Sequence, residues 1–247
     1  MKKRLLILGM IFTMAVSSAG CGSSASDNSG KTDQTKQTAD VQDSQKDTSS
    51  SDKSDNKKDT SYKSADEITM DDLMSHDETP AEDFEFNDGA DEIVIEKYVG
   101  KDPIVVIPDE IDGKKVVGFE SAFTLNNNIV AVKIGNNVQE VENSAFSGCK
   151  QLKYVVMGDS VKTIGGRMFA QTNLQELVLN DGLQKIGQDD SNNVLAPPSS
   201  NCGMDLKIPE SVTELHVSEF NLIGKSGSYA EQYANEHADA GVTFTAE

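Results

Sequence analysis

The sequence predicts a mainly β solenoid of about five coils, with short return segments and a C-terminal capping helix. Three observations predict it. An aromatic recurs at a fixed interval: Ala145-Phe146 stands 23 residues after Ala122-Phe123 and 23 before Met168-Phe169. Apolar anchors Ile107, Ile134, Met157, Leu179 and Ile208 follow one another at 27, 23, 22 and 29 residues. After a Gly, Asn, Asp or Pro turn comes a second apolar pair: Val138/Val141, Val161/Ile164, Leu183/Ile186 and Val212/Leu215. A repeat in this range is the signature of stacked coils, none of which can bury its apolar side alone. On this reading the interval between aromatics is one turn of the stack, and each Phe fills a shared core.

The chain opens on "MKKRLLILGMIFTMAVSSAGC", with basic Lys2, Lys3 and Arg4, an apolar run from Leu5 to Val16, then small residues. That run is shorter than the roughly 20 residues a membrane-spanning helix needs, so it reads as an export signal. Ala19-Gly20-Cys21 resembles the bacterial lipobox, although Ser18 stands where that motif usually has Leu. The resemblance implies cleavage after residue 20 and a diacylglycerol on Cys21. Residues 1–20 are therefore expected to be a lipoprotein signal peptide, and the protein to be exported and lipid-anchored to the bacterial membrane, facing outward.

Residues 21–83 are expected to form a disordered, Ser-rich and acidic tether. From Gly22 to Ser64 the large apolar side chains are Val41 and Tyr62, too few to repay the entropy of ordering. A flexible chain of about 60 residues reaches roughly 40 Å. The acids that crowd from Asp66 to Glu92 lack the alternating ligands and fixed glycine of a calcium loop and read as a solvated run. The folded domain is expected over 84–247. "FEF" and "EIVIEKYV", separated by "NDGAD" from Asn87, read as a hairpin. The coils follow. In the fourth, the small-residue–Phe step is replaced by the stretch from Gln188 to Asp205, expected to bulge from the edge as a Pro-containing loop. After Ser228, a residue suited to N-capping, Tyr229, Ala230, Tyr233 and Ala234 lie at helical spacing, and "GVTF" supplies a final strand.

Composition narrows the function. With 22 Lys and Arg against 41 Asp and Glu, a net charge of -19 argues against nucleic acid and against direct adhesion to anionic lipid. The three histidines, His76, His216 and His237, are scattered. No metal-protease motif, nucleophile elbow or phosphate loop is present, so no catalytic residues, metal ligands or cofactors are expected. Cys149 reads as a small buried hydrophobe. Cys202 lies in the insertion, and whether the two pair is open.

The segment "IGNNVQEVENSAFSGCKQLKYVVMGDSVKTIGGRMF" resembles the BspA-type leucine-rich repeat, also described from treponemal surface proteins. The unit of that family runs roughly I-P-x-x-V-x-x-I-G-x-x-A-F-x-x-C-x-x-L, and the resemblance extends from about Tyr98 to Phe220. It implies a cell-surface protein that mediates adhesion or other protein–protein contacts, with an extracellular, host or matrix protein as partner and no enzymatic activity. The alternative is a surface carbohydrate or peptide capture protein working with a transporter or hydrolase; the absence of Trp leans against glycan binding.

Alternation along strands selects the candidate contact face. If Val132/Ile134, Val155/Met157, Leu177/Leu179 and Leu206/Ile208 point inward, then Lys133, Val156, Val178 and Lys207 form an outward column, joined by Val106 and Tyr154. This partly apolar column is the candidate partner-facing strand surface, and the loop from Gln188 to Asp205 is the other candidate contact.

Overall fold

The structure, a computed structural model, describes residues 62–119, 121–187, 195–198 and 201–247. The expected signal peptide, Cys21 and the expected tether up to residue 61 lie outside these. The described part is a β solenoid, as the repeats predict.

Its elements run β1 (Phe84–Asp88), β2 (Glu92–Tyr98), β3 (Ile104–Val106), β4 (Glu110–Ile111), β5 (Lys114–Phe119), β6 (Ala131–Lys133), β7 (Glu140–Val141) and β8 (Tyr154–Val156). Then come β9 (Thr163–Ile164), β10 (Glu176–Val178), β11 (Lys185–Ile186), β12 (Met204–Lys207), β13 (Glu214–Leu215), β14 (Phe220–Gly224) and β15 (Thr243–Ala246). Two helices, α1 (Met70–Ser75) and α2 (Tyr229–Glu236), flank the stack.

The first strands of successive coils, β3, β6, β8 and β10, form one parallel sheet, and the return strands β7, β9, β11 and β13 form a second. The ladder of the first sheet repeats bond for bond. Ala131, Tyr154 and Glu176 each donate a backbone N–H to the carbonyl before the preceding strand, on Pro103, Val130 and Lys153. At the other end Ile107, Ile134 and Met157 donate to Lys133, Val156 and Val178. Strand-to-strand approach this close needs small residues at the turns: a Cβ on Gly158 would run into the backbone oxygen of Gly135 in the coil before.

Between the two sheets lies the core. Phe123, Phe146 and Phe169 are fully buried and stack ring on ring, with centroids 5.4 and 6.4 Å apart. Tyr98 and Phe84 extend the column at the N-terminal end, at 6.2 and 5.6 Å. Both ends are closed. The hairpin β1–β2 is antiparallel, with a bulge at Glu85/Phe86. At the other end α2 is capped by Ser228, whose side chain accepts from Glu231 N–H, and buries Ala230, Tyr233 and Ala234. Strand β15 pairs with β14.

Residues 62–83 differ from the expected tether. They carry α1 and a 3-10 turn, Ala81–Asp83, so folded structure begins some twenty residues before Phe84. Ile68 and Leu73 are buried against Ile104, Val106, Val130, Ala131 and Val156. Two apolar side chains among many acids are enough for this because the sheet supplies the other wall. Thr69 caps the helix: its side chain accepts from Asp72 N–H while the Asp72 carboxylate accepts from Thr69 N–H. Ile68 just before the cap and Leu73 in the first turn pack as a hydrophobic staple. Thr79 then lies on the edge of β3, donating its N–H to Val106 O at 2.9 Å and accepting Val106 N–H on Oγ1 at 2.9 Å.

Candidate functional site

The inward set is as expected: Val132, Ile134, Val155, Met157, Leu177, Leu206 and Ile208 are buried, and Leu179 is half-buried against the core. The outward column therefore has the expected parity. Its accessibility is a different matter. Val106 and Val156 are 6% and 7% exposed, because Ile68 and Leu73 lie over them. Tyr154 packs on the same cluster, and Lys133 is half-buried. Val106 and Val156, expected on the partner-facing surface, are instead interior contacts of the α1 segment. A buried lysine fastens that segment. Lys153 Nζ donates to Ala65 O at 2.8 Å and meets Asp66 Oδ1 at 3.2 Å. His76 Nε2 stands 3.4 Å from Asp102 Oδ2.

Val178 and Lys207 remain open, with Val178 38% exposed. Beside them the first sheet is broken. Strand β10 ends one sheet and β12 begins another, ordered β12-β14-β15, although the return strands β11 and β13 of the same two coils stay paired. The insertion accounts for this. In earlier coils the residue entering the strand bonds back to the previous coil. Here Gly203 N–H donates forward to Glu219 O at 2.7 Å, and the side chain of Asn201 reaches back instead, to Leu174 O at 3.0 Å. Farther along, Ile208 N–H donates to Ile223 O as the anchors of earlier coils do, but the bond from Leu179 N–H to Lys207 O that the same pattern would supply is missing.

The two coils are joined on the return side and parted on the strand side. The gap is a cavity of about 680 Å³ lined by Gln175, Glu176, Leu177, Val178, Leu179, Asp181, Asn201, Gly203, Met204, Asp205, Lys207, Pro209 and Ile223. Its floor is Leu177 and Met204, both buried. Its rim carries Glu176, Asp181 and Asp205, with Lys207 Nζ drawn off to Glu247 Oε2 at 2.7 Å. Sequence reasoning missed this cavity. The signal for it was the lost small-residue–Phe step and the long spacing from Leu179 to Ile208, which were read only as a bulging loop. Of that loop, Leu195 is fully buried and bridges to Val217, so its described middle tucks against the last coil.

The remaining residues singled out in the sequence do not line this cavity, although Cys202 sits between Asn201 and Gly203, which do. Cys149 and Cys202 are both free thiols. Cys149 is buried and donates to Phe123 O at 2.8 Å; burial pushes its thiol up to about 11. Cys202 is exposed, and a hydrogen bond to Glu219 at 3.3 Å raises its thiol. His216 meets Glu214 at 3.1 Å, and His237 stacks on Tyr233. Among the described residues no group of three or more His, Cys, Asp or Glu is placed to hold a metal ion. No helix among them is long and apolar enough to cross a membrane.

The sequence of residues 119–194 matches the BspA type Leucine rich repeat region, in six copies. Among solved structures the chain is similar to a leucine-rich repeat protein of T. pallidum, at 29% identity and a TM-score of 0.49, covering 60% of this chain and 71% of that one. No curated protein matches it.

Proposed function

We propose that this chain, which carries BspA-type leucine-rich repeats, is a lipid-anchored bacterial surface protein that binds other proteins through the open part of its strand face. Repeats of this kind are associated with protein–protein interaction rather than catalysis. The observation that carries the reading is the partition of the outward column. The α1 segment covers Val106 and Val156, while Val178 and Lys207 stay open beside a cavity of about 680 Å³. An apolar exposed residue at the mouth of an acidic-rimmed cavity fits a contact site better than a neutral surface does.

The anchor is inferred from Lys2, Lys3 and Arg4, the apolar run and Ala19-Gly20-Cys21. Attachment is through the lipid on Cys21 alone. The partner is an extracellular, host or matrix protein; a net charge of -19 disfavours nucleic acid.

Two experiments test the reading. Cys21→Ala should move the protein from the membrane fraction to the medium; unchanged membrane retention would remove the anchor from the account. The full chain should bind one or more members of an array of extracellular proteins and glycans, and Val178→Glu should abolish binding with the circular dichroism spectrum intact. Binding confined to glycans would favour the capture protein instead.

A further inference from the structure

We propose that the slot between β10 and β12 receives an arginine side chain of a partner protein. The stem would lie on Leu177 and Met204, and the guanidinium against the strand edges and Glu176. The proposal rests on the protein-binding reading above and gives that site a chemistry.

The width of the slot comes first. Cα atoms of β10 and β12 come within 8 Å of one another. An inserted strand needs two ladder spacings, about 9.6 Å. The slot is thus too narrow for an added strand, yet the two strands are too far apart to bond each other. A single side chain has the right thickness.

The walls are polar in a defined way. Glu176 N–H bonds to Lys153 O and Val178 O accepts from Met157 N–H, so both turn their backbone toward β8. Alternation then turns the N–H and C=O of Leu177 toward β12. On the opposite wall Ile208 bonds to Ile223, which turns the backbone of Asp205 and Lys207 toward β10. No hydrogen bond joins the two strands. Each wall therefore offers backbone N–H and C=O groups that the ladder leaves unused; a guanidinium can match the carbonyls, and the N–H groups stay with water.

Charge selects the occupant. The carboxylates of Glu176 and Asp181 have no hydrogen-bonded or ionic partner among the described residues. Asp205 uses Oδ1 to accept from Asn221 Nδ2 at 2.7 Å. The cation of the site, Lys207, is held by Glu247. Unmatched acceptors of both kinds, carbonyl and carboxylate, lie along a narrow strip above an apolar floor. The flat guanidinium, with five donors and an aliphatic stem, matches that strip better than the compact ammonium of lysine.

The test is fluorescence anisotropy of a labelled, capped Ala-Val-Arg-Val-Ala peptide titrated with the full chain. Citrulline and lysine versions run alongside. Citrulline keeps the shape and removes the charge. The arginine peptide should bind about 10-fold more tightly than the citrulline one, and Glu176→Gln/Asp181→Asn should weaken it about 10-fold. The matched pair Glu140→Gln/Glu142→Gln, at the start of β7 and just after it, should leave it unchanged. Absence of arginine-peptide binding, equal binding of citrulline, or equal loss in the two double variants overturns the proposal. If array proteins still bind through Val178 in any of those cases, arginine recognition fails and the protein-binding reading stands. If neither peptide nor array protein binds, both fail.

Discussion

Two residues in each middle coil sit in the left-handed region, flanking the buried Phe. Ser121, Ser144 and Arg167 precede it by two positions, at φ 52°, 61° and 52°; Leu125, Gly148 and Gln171 follow it by two, at 61°, 78° and 59°. Only Gly148 occupies such a position without a Cβ penalty. Left-handed backbone costs an L-residue about 1–2 kcal/mol, against about 0.5–1 kcal/mol of entropy that glycine brings to the unfolded chain. Gln171 is exposed, so Gln171→Gly should stabilise the protein by about 0.5–1 kcal/mol in urea unfolding. A destabilisation would mean that the turn is not strained. The residues beside it are worth far more. Phe146 is stacked between Phe123 and Phe169, and Phe146→Ala should cost about 3–5 kcal/mol. A loss below about 1 kcal/mol would show that the ring column does not hold the coils together. These rings were legible in the sequence because one turn of the stack fixes their interval. The left-handed serines were not, since Ser is common in turns of every kind.

At the scale of elements, legibility followed length and repetition. The coils, the hairpin and α2 each carry enough periodic apolar residues to be seen. Helix α1 does not: six residues among a dozen acids look like solvated chain. What could have found it is the cap, Thr69 three residues before Asp72, with Ile68 and Leu73 placed as a staple. Because α1 lies on the surface of the sheet, Leu73→Ala should detach it locally, with little loss of the solenoid. Hydrogen exchange should quicken at the Val106 amide, which bonds to Thr79, while the amides of the return strands stay protected. Equal quickening throughout would make α1 part of the global core. Acid should act on the same element. Hydrogen bonds from Lys63 and Thr69 hold the Asp72 carboxyl down to about 2, against an ordinary 3.8, and bonds from Ser64 lower Glu67. Carboxylates with depressed pKa favour the folded form above their ordinary range and lose that contribution as pH falls through the folded value. The α1 segment should therefore loosen between about pH 4 and pH 2, read at the Leu73 amide. Release that is independent of pH would contradict this.

At the scale of the whole molecule, one irregularity organises the surface. The repeats make a face that would be uniform from coil to coil, and the chain makes it uneven in two ways. It covers one end with α1, fastened by Lys153 and Thr79. It opens the other by inserting residues between β11 and β12, which parts the strand sheet while β11 and β13 hold the return side closed. Sequence alternation found which residues face outward, because side-chain parity is local. It could not find which of them are covered, because that depends on a segment more than twenty residues upstream folding back. Nor could it tell that an insertion would break a ladder as well as lengthen a loop. Whether the protein meets its partner at the open end of this face can be read by photo-crosslinking from the full chain on intact cells. The crosslinking amino acid would stand at Val178 in one variant and at Glu142, on the return side, in the other. Discrete adducts with an extracellular protein are expected from position 178 and none from position 142. Adducts from position 142 alone, or equally from both, would contradict this expectation.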